Sequence, residues 1–344
     1  MQVISSLTLY FYEYAMKGAL RSIAAVSLPL FAFGGKTGFV EREWPASEEL
    51  RIILIGDTGQ LPVEGDPHKM SEAQRARLRE SLAAENATAI VDLGDLFYWK
   101  GPKCRAGATP ERSGELLDAH LYDHVGGLGT PVFLVLGNHD VGPLAEHFKK
   151  ALTGGRSGKR SEARERCYRL QEKLHGDMVF PGESYGIDFG PLRMAALHTS
   201  APQRQWAGSE IKAFFEGDKE DWSLLVGHHV LRTGCDKINE DAVAPWLHET
   251  GLKPDMYANG HAHILQLGVF GGVPAVTSGS GSKLREFPGC TPTDTEGVQW
   301  GASEYGYAVL EVEPDRLRVR FKDIKGSELH CWQRGKDDPS GEGC

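Results

Sequence analysis

From position 50 onward the chain is punctuated by short, continuous apolar runs, each ending in a small cluster of polar residues. Residues 51–55 run into Gly56-Asp57-Thr58-Gly59, residues 87–91 lead to Gly94-Asp95, and residues 131–136 lead into Gly137-Asn138-His139-Asp140. Further on, residues 222–226 run into Gly227-His228-His229, and residues 256–258 into Asn259-Gly260-His261-Ala262-His263. Aliphatic runs without alternation predict strands buried on both faces. Ser71-Glu72-Ala73-Gln74 has the form of a capping box and opens a helix to about Ala84. A second helix is expected over about 114–125, ahead of the third strand. Strand–helix–strand alternation predicts a parallel sheet, in which ligands gather outside the carboxyl ends of the strands. The polar clusters all lie there.

The last third changes character. Residues 268–278 and 305–321 read as strands, and Glu313-Pro314-Asp315-Arg316 between two apolar stretches is a hairpin signal. These strands belong to a second sheet packed on the first. The tail from Gln333 is polar and reads as loose, and no internal repeat is visible. At the other end, Lys17 and Arg21 precede an apolar run over 23–33 and Gly34-Gly35. That is the order of a secretory signal, and the run is too short to span a membrane. Residues 1–15 carry no positive charge, so Met16 is read as the true start; the alternative is a buried N-terminal helix, and Phe31-Ala32-Phe33-Gly34 is a weak cleavage site. The expected division is a leader over 1–35, a linker over 36–49, one domain over 50–332 and a tail over 333–344. The product is expected to be secreted or periplasmic, monomeric and without a transmembrane span.

Composition adds exclusions. With 344 residues, 40% hydrophobic and 25% charged, the chain is ordinary for a globular protein. A net charge of -9 without a strongly basic segment argues against binding duplex nucleic acid through its phosphates. It leaves a small anionic substrate open, because bound cations supply a positive field locally. The six cysteines (Cys104, Cys167, Cys235, Cys290, Cys331, Cys344) include no C-x-x-C pair, which counts against a zinc ribbon. An even number behind an export signal suits disulfides, but sequence cannot choose among the pairings or exclude free thiols.

The clusters bring together seven candidate metal ligands: Asp57, Asp95, Tyr98, Asn138, His228, His261 and His263. Two ions bridged by Asp95 would use them all. Asp57, Asp95, Tyr98 and His263 offer hard anionic oxygens, which suit iron(III). Asp95, Asn138, His228 and His261 form a nearly neutral set suited to a divalent ion such as iron, zinc or manganese. His261 and His263 would face opposite ways on a regular strand, so Gly260 and a turn must aim both at the centre.

Together these motifs resemble the calcineurin-like metallophosphoesterase superfamily, and within it the small, tartrate-resistant type of purple acid phosphatase. The resemblance covers about 50–329 and includes Phe180-Pro181-Gly182-Glu183-Ser184-Tyr185-Gly186-Ile187-Asp188-Phe189-Gly190 and Thr277-Ser278-Gly279-Ser280-Gly281-Ser282-Lys283. Most of the superfamily begins with Asp-x-His; here Gly59 stands in the histidine's place, while Tyr98 follows the bridging Asp95 as in the purple branch. The resemblance implies an α/β four-layer αββα sandwich of two mixed β-sheets flanked by helices. It implies a dinuclear-metal acid phosphatase that releases phosphate from small phosphomonoesters by attack of a metal-activated hydroxide. His139 carries over as the outer-sphere histidine that contacts the phosphoryl group, and Asp140 as its orienting partner or else a helix cap. The branch's further histidine beyond Gly-His is absent; Asp236 falls near its place, His229 is a possible substitute, and Val230 stands where Pro is usual. Rival readings are a phosphodiesterase or nucleotidase, a phosphoprotein phosphatase, and a non-catalytic binding protein of the same fold.

Other features have plainer readings. His120 and His124, four apart on the expected helix, lack the glutamate of a His-Glu-x-x-His site and read as a solvated face. Residues 156–173, dense in Arg and Glu, read as an exposed helix with internal ion pairs, with a substrate lid as the alternative. Asn86-Ala87-Thr88 meets the glycosylation pattern but reads as a turn, and Ser278 to Ser282 as a turn that could approach phosphate.

Overall fold

Among the described residues of the computed structural model, sixteen strands divide between two sheets of eight. The structure describes residues 39–45, 50–98, 101–141, 158–201, 206–217, 221–234, 243–286, 294–336, 338 and 341–344. The leader with Met16, together with Asp236, Cys235 and Cys290, lies outside the described residues.

One sheet is built on β2 (Leu50–Ile55), β3 (Ala89–Asp92), β4 (Val132–Leu134) and β5 (Met178–Val179), all parallel. It continues antiparallel from β2 through β13 (Gly306–Glu313), β14 (Arg316–Asp323), β15 (Glu328–Gly335) and β16 (Glu342–Gly343). The other sheet runs in the order β1 (Val40–Glu43), β6 (Tyr185–Asp188), β7 (Leu192–Ala196), β8 (Trp222–Val226), β9 (Met256–Asn259), β11 (Val273–Ser278), β10 (Leu265–Phe270), β12 (Val298–Ala302). Its middle strands β7, β8 and β9 are parallel. Residues such as Leu54, Val91, Phe133, Met194, Leu224 and Leu310 interleave between the sheets. The opposite faces are covered by helices. Leu78 and Leu82 of α1 (Glu72–Ala84) and Leu117 of α2 (Pro110–Leu117) pack on the first sheet. Ile211 and Phe214 of a helix over Gly208–Phe215 and Trp246 of another over Val243–Thr250 pack on the second. The expected four-layer αββα sandwich is therefore what forms.

Local signals explain most of this. Ser71 accepts from the Gln74 N–H and Gln74 returns to the Ser71 N–H, closing the capping box. The expected hairpin is present, with Glu313 paired to Arg316 across the β13–β14 turn, but it extends the first sheet by pairing β13 with β2 and does not, as expected, belong to the second. Two boundaries differ from expectation. The linker contains β1, an edge strand paired with β6, and Trp44 beyond it meets the Phe133 ring edge-on at 4.9 Å. The described part of the tail is not loose: β16 pairs with β15, and a disulfide joins Cys331 to Cys344. A helix over Gly158–Leu174 is only partly exposed: Cys167, Tyr168 and Gln171 are buried beside α2. Among the described residues no helix is long and apolar enough to cross a membrane.

Cys104 and Cys167 form a disulfide across 63 residues, tying the loop after Tyr98 to the Gly158–Leu174 helix. Replacing both with serine is expected to lower the unfolding free energy by about 2–5 kcal/mol, read from the denaturant midpoint of the folded protein.

Candidate metal centre

The parallel strands β2, β3 and β4 end beside the parallel strands β8 and β9 of the facing sheet, so five carboxyl ends share one edge of the sandwich. Asp57 follows β2, Asp95 follows β3, Asn138 opens a short helix (Asn138–Val141) after β4, His228 follows β8, and His261 and His263 follow β9. All seven expected ligands are brought together there.

They form two sets. In the first, the Tyr98 hydroxyl lies 3.0 Å from Asp57 Oδ1 and 3.3 Å from His263 Nε2, and that nitrogen lies 3.2 Å from Asp57 Oδ1. Ligands about 2.1 Å from one metal ion at right angles stand about 3 Å apart, so this triangle has the edge of a coordination face. In the second, His228 Nε2 lies 3.1 Å from Asn138 Oδ1, 3.1 Å from His261 Nδ1 and 3.4 Å from Asp95 Oδ1. Asp95, His228 and His261 can present donor atoms within 4.8 Å of one another, a candidate metal cluster. Asp95 also interacts with Tyr98, which places it between the sets.

The backbone is strained at these residues. Five non-glycine residues have positive φ among those described, and four of them are Asp57, Asp95, His261 and His263; the fifth is Asn86 in its expected turn. Such conformations cost about 1–3 kcal/mol each and persist where surrounding structure imposes them. The turn at 260–263 is how both histidines reach one centre. Gly59 and Gly137 are dictated by close approach. A Cβ on Gly59 would stand 2.3 Å from the Leu96 and Phe97 backbone, and one on Gly137 would stand 2.2 Å from Asp95 Oδ1. The missing histidine at Gly59 and the tyrosine at Tyr98 are thus linked sterically, because the chain leading to Tyr98 occupies the space a side chain at position 59 would need.

Charge is the other feature. Burial works against an imidazolium at His228, yet Asp95 and Asp57 raise its pKa to about 10, and its Nδ1–H donates to Leu93 O at 2.9 Å. The Leu93 contact leaves Nε2 facing the ligand set. Burial likewise opposes the Asp95 carboxylate, but His228 and His139 hold it well below the usual range. Burial keeps Tyr98 protonated, with Asp57 and Asp95 adding to the effect, so a phenolate there requires a strong Lewis acid. Burial and the neighbouring His228 keep His261 neutral. The donor set is short of positive charge and fits metal cations.

The supporting residues are less predictable. Asp140, expected to orient His139, accepts instead from the N–H groups of Gly137, Asp95 and Leu96 at 2.7, 2.9 and 3.2 Å, and from the Tyr168 hydroxyl at 2.6 Å. It fixes the loops that carry Asp95 and Asn138. Burial and the Asp95 charge push its pKa up to about 7. His139 itself sits at the mouth, its ring 4.5 Å from that of Tyr98 and its Nε2 3.9 Å from Asp95 Oδ2. His229 is buried and turned to Thr199 Oγ1 at 2.8 Å, and the same oxygen accepts from the N–H groups of His228 and His229. His120 and His124 are not a solvated face. A π-helical turn over Asp118–Tyr122 directs His120 Nδ1 to Gly59 O at 2.6 Å, and His124 Nε2 reaches Gly281 O at 3.0 Å. Ser282 donates to Asp57 O, which gives the Gly-rich stretch a bracing role. Tyr168, Thr199 and the two histidines had no local signal, since each acts on a loop distant in sequence.

The calcineurin-like phosphoesterase family model matches residues 50–265. The chain belongs to that family. Its curated relatives include purple acid phosphatase 7 of Arabidopsis thaliana, 25% identical over 90% of this chain and 94% of the relative. Tartrate-resistant acid phosphatase type 5 of Oryctolagus cuniculus is 23% identical over 83% of this chain and 90% of its own length. Among solved structures, a purple acid phosphatase from yellow lupin seeds superposes with a TM-score of 0.59 at 15% identity, covering 85% of this chain and 55% of that one. GAP50 of Plasmodium does so with a TM-score of 0.57 at 17% identity over 84% of this chain and 89% of that one. The site of this phosphoesterase therefore sits on the fold and motifs of the purple acid phosphatase branch.

Two outcomes follow. Asp140→Asn places amide hydrogens against backbone N–H donors and is expected to weaken metal binding by about 10–100-fold in a folded protein, measured by chelator competition. Burial lowers His124 to about 3 from its ordinary 6.5. Between those values only the unfolded chain takes up the proton, so stability is full above about pH 6.5 and falls by up to about 1.4 kcal/mol per unit on acidification. His124→Gln is expected to flatten the decline in Tm between about pH 6.5 and 4.

Proposed function

We propose that this phosphoesterase is an exported acid phosphatase acting on small phosphomonoesters with a mixed-valence metal pair. The observation that carries the reading is the Asp57–Tyr98–His263 triangle, with edges of 3.0 to 3.3 Å, beside the Asp95–Asn138–His228–His261 set. Asp57, Asp95, Tyr98 and His263 would hold iron(III), and Asp95, Asn138, His228 and His261 a divalent iron, zinc or manganese ion. When bound, the ions supply charge neutralisation for the phosphate and lower the pKa of a water.

The chain's own residues supply the rest. Asp95, held by the His139 N–H at 2.8 Å, keeps the ligand sets in register. Asp140 locks the turns that present Asp95 and Asn138. His139 stands where it can donate a hydrogen bond to a phosphoryl oxygen and pass a proton to the departing alcohol. His229 is engaged by Thr199, so leaving-group protonation rests on His139 in this reading. Two disulfides among the described residues support an oxidising compartment, and hence the export signal read at Met16.

The purified protein is expected to carry about two metal ions per chain and a visible tyrosinate-to-iron(III) band. A colourless, metal-free but folded product would overturn the centre. Asp95→Ala is expected to abolish metal binding and turnover together, whereas His139→Ala should keep the metals and slow turnover by about 10²–10⁴-fold. Faster turnover of a simple diester than of a monoester across pH would reverse the assigned substrate class.

A further inference from the structure

The two carboxylate oxygens of Asp140 have different partners. Oδ2 accepts the N–H groups of Gly137, Asp95 and Leu96, which belong to the turns that present Asp95 and Asn138. Oδ1 accepts from the Tyr168 hydroxyl at 2.6 Å, the length of a charge-assisted O–H···O bond. The terminal torsion of an aspartate is broad, so its own rotamer does not fix the plane of the carboxylate. An anchor on Oδ1 does. Tyr168 thereby keeps Oδ2 on its three donors.

Tyr168 is itself held. It is fully buried, with its ring 5.8 Å from that of Phe180. Its neighbour Cys167 is bonded to Cys104 in the segment that follows Tyr98. Cys104 N–H bonds Ala163 O at 3.0 Å, Arg166 Nη1 donates to Cys104 O at 3.0 Å, and Ser113 Oγ donates to Cys167 O at 2.7 Å. Between Tyr98 and Cys104, Gly101 has a φ of +67° and lies so close to Asp140 that a Cβ would stand 2.0 Å from Asp140 O. These connections close a ring. It runs along the main chain from Asp95 to Cys104, across the disulfide to Cys167 and Tyr168, through the Asp140 carboxylate, and back to the Asp95 N–H. Two of the expected metal ligands, Asp95 and Tyr98, lie on it.

We propose that Tyr168 is a positioning residue for the metal centre, held on Asp140 by the Cys104–Cys167 disulfide, and that the two together set how tightly the folded protein binds metal. This role rests on the metal centre proposed above.

The test measures zinc binding to the metal-free protein by competition with a chromogenic chelator, at temperatures below the onset of unfolding, and the Tm of each metal-free variant. Tyr168→Phe keeps the ring and removes the hydroxyl. It is expected to weaken zinc binding about tenfold, the effect of losing an outer partner of a ligand. Cys104→Ser with Cys167→Ser should give a loss of similar size, and adding Tyr168→Phe to that pair should cost little more, because residues acting through one contact are not additive. Cys331→Ser with Cys344→Ser removes the other described disulfide and should leave zinc binding as in the native protein. A lowered Tm with native zinc affinity in Tyr168→Phe would make the residue merely structural and overturn the proposal, and that variant decides alone if the serine pair does not fold. Losses that multiply in the triple variant, or an equal loss in the Cys331 and Cys344 control, would overturn it too. A native protein that binds neither zinc nor iron would overturn the metal centre itself, a result distinct from native binding that Tyr168→Phe leaves intact.

Discussion

Four carboxylates are buried at one end of this sandwich: Asp57, Asp92, Asp95 and Asp140, each at most 1% exposed. Removing charges from water costs several kcal/mol apiece unless each is paired or neutralised, and the surrounding structure is arranged around that cost. Asp140 is satisfied by three backbone N–H groups and the Tyr168 hydroxyl. Asp92 accepts from Thr58 at 2.6 Å and is pushed far up by burial, which favours its neutral form. Asp95 keeps its charge by facing His228. Asp57 accepts from the His261 N–H at 2.6 Å and from Tyr98. Asp92, behind the site, leans towards protonation, while Asp140 is held as an acceptor by its four donors and Asp95 keeps a charge that faces the interior.

The same constraint accounts for the strained backbone. Aiming a carboxylate or an imidazole from a strand end into a shared interior requires a sharp reversal directly after the strand. Ordinary side chains resist the left-handed region, so the reversal falls on the functional residues themselves at Asp57, Asp95, His261 and His263. The buried apolar strands supply the rigidity that keeps these turns from relaxing. Fold and site are in this sense one arrangement: parallel strands in both sheets end at a common edge, and the edge is where charge is concentrated.

Much of this was legible in the sequence because the relevant signals are local. Unbroken aliphatic runs marked β2, β3, β4, β8 and β9, and the residues after each run named the ligands. What escaped has partners far along the chain. His120 bonds a carbonyl 61 residues away and His124 one 157 residues away, so their spacing suggested only a helix face. Asp140 looked like a partner for its neighbour His139, whereas its strongest side-chain partner, Tyr168, sits 28 residues on in a segment whose Arg and Glu content disguised a buried face. β1 was missed because a half-exposed edge strand alternates weakly, and β16 because it is only two exposed residues long.

The contact beneath Gly59 bears on how such a site can change over generations. A histidine placed there alone would meet the Leu96 and Phe97 backbone at 2.3 Å from its first side-chain carbon, displacing the loop that delivers Tyr98. Exchanging the tyrosine first removes its hydroxyl from Asp57 and His263. Either change made alone disturbs contacts that the other residue shapes, so packing couples positions 59 and 98. A chain with glycine and tyrosine at these positions therefore meets a packing obstacle to changing the glycine alone.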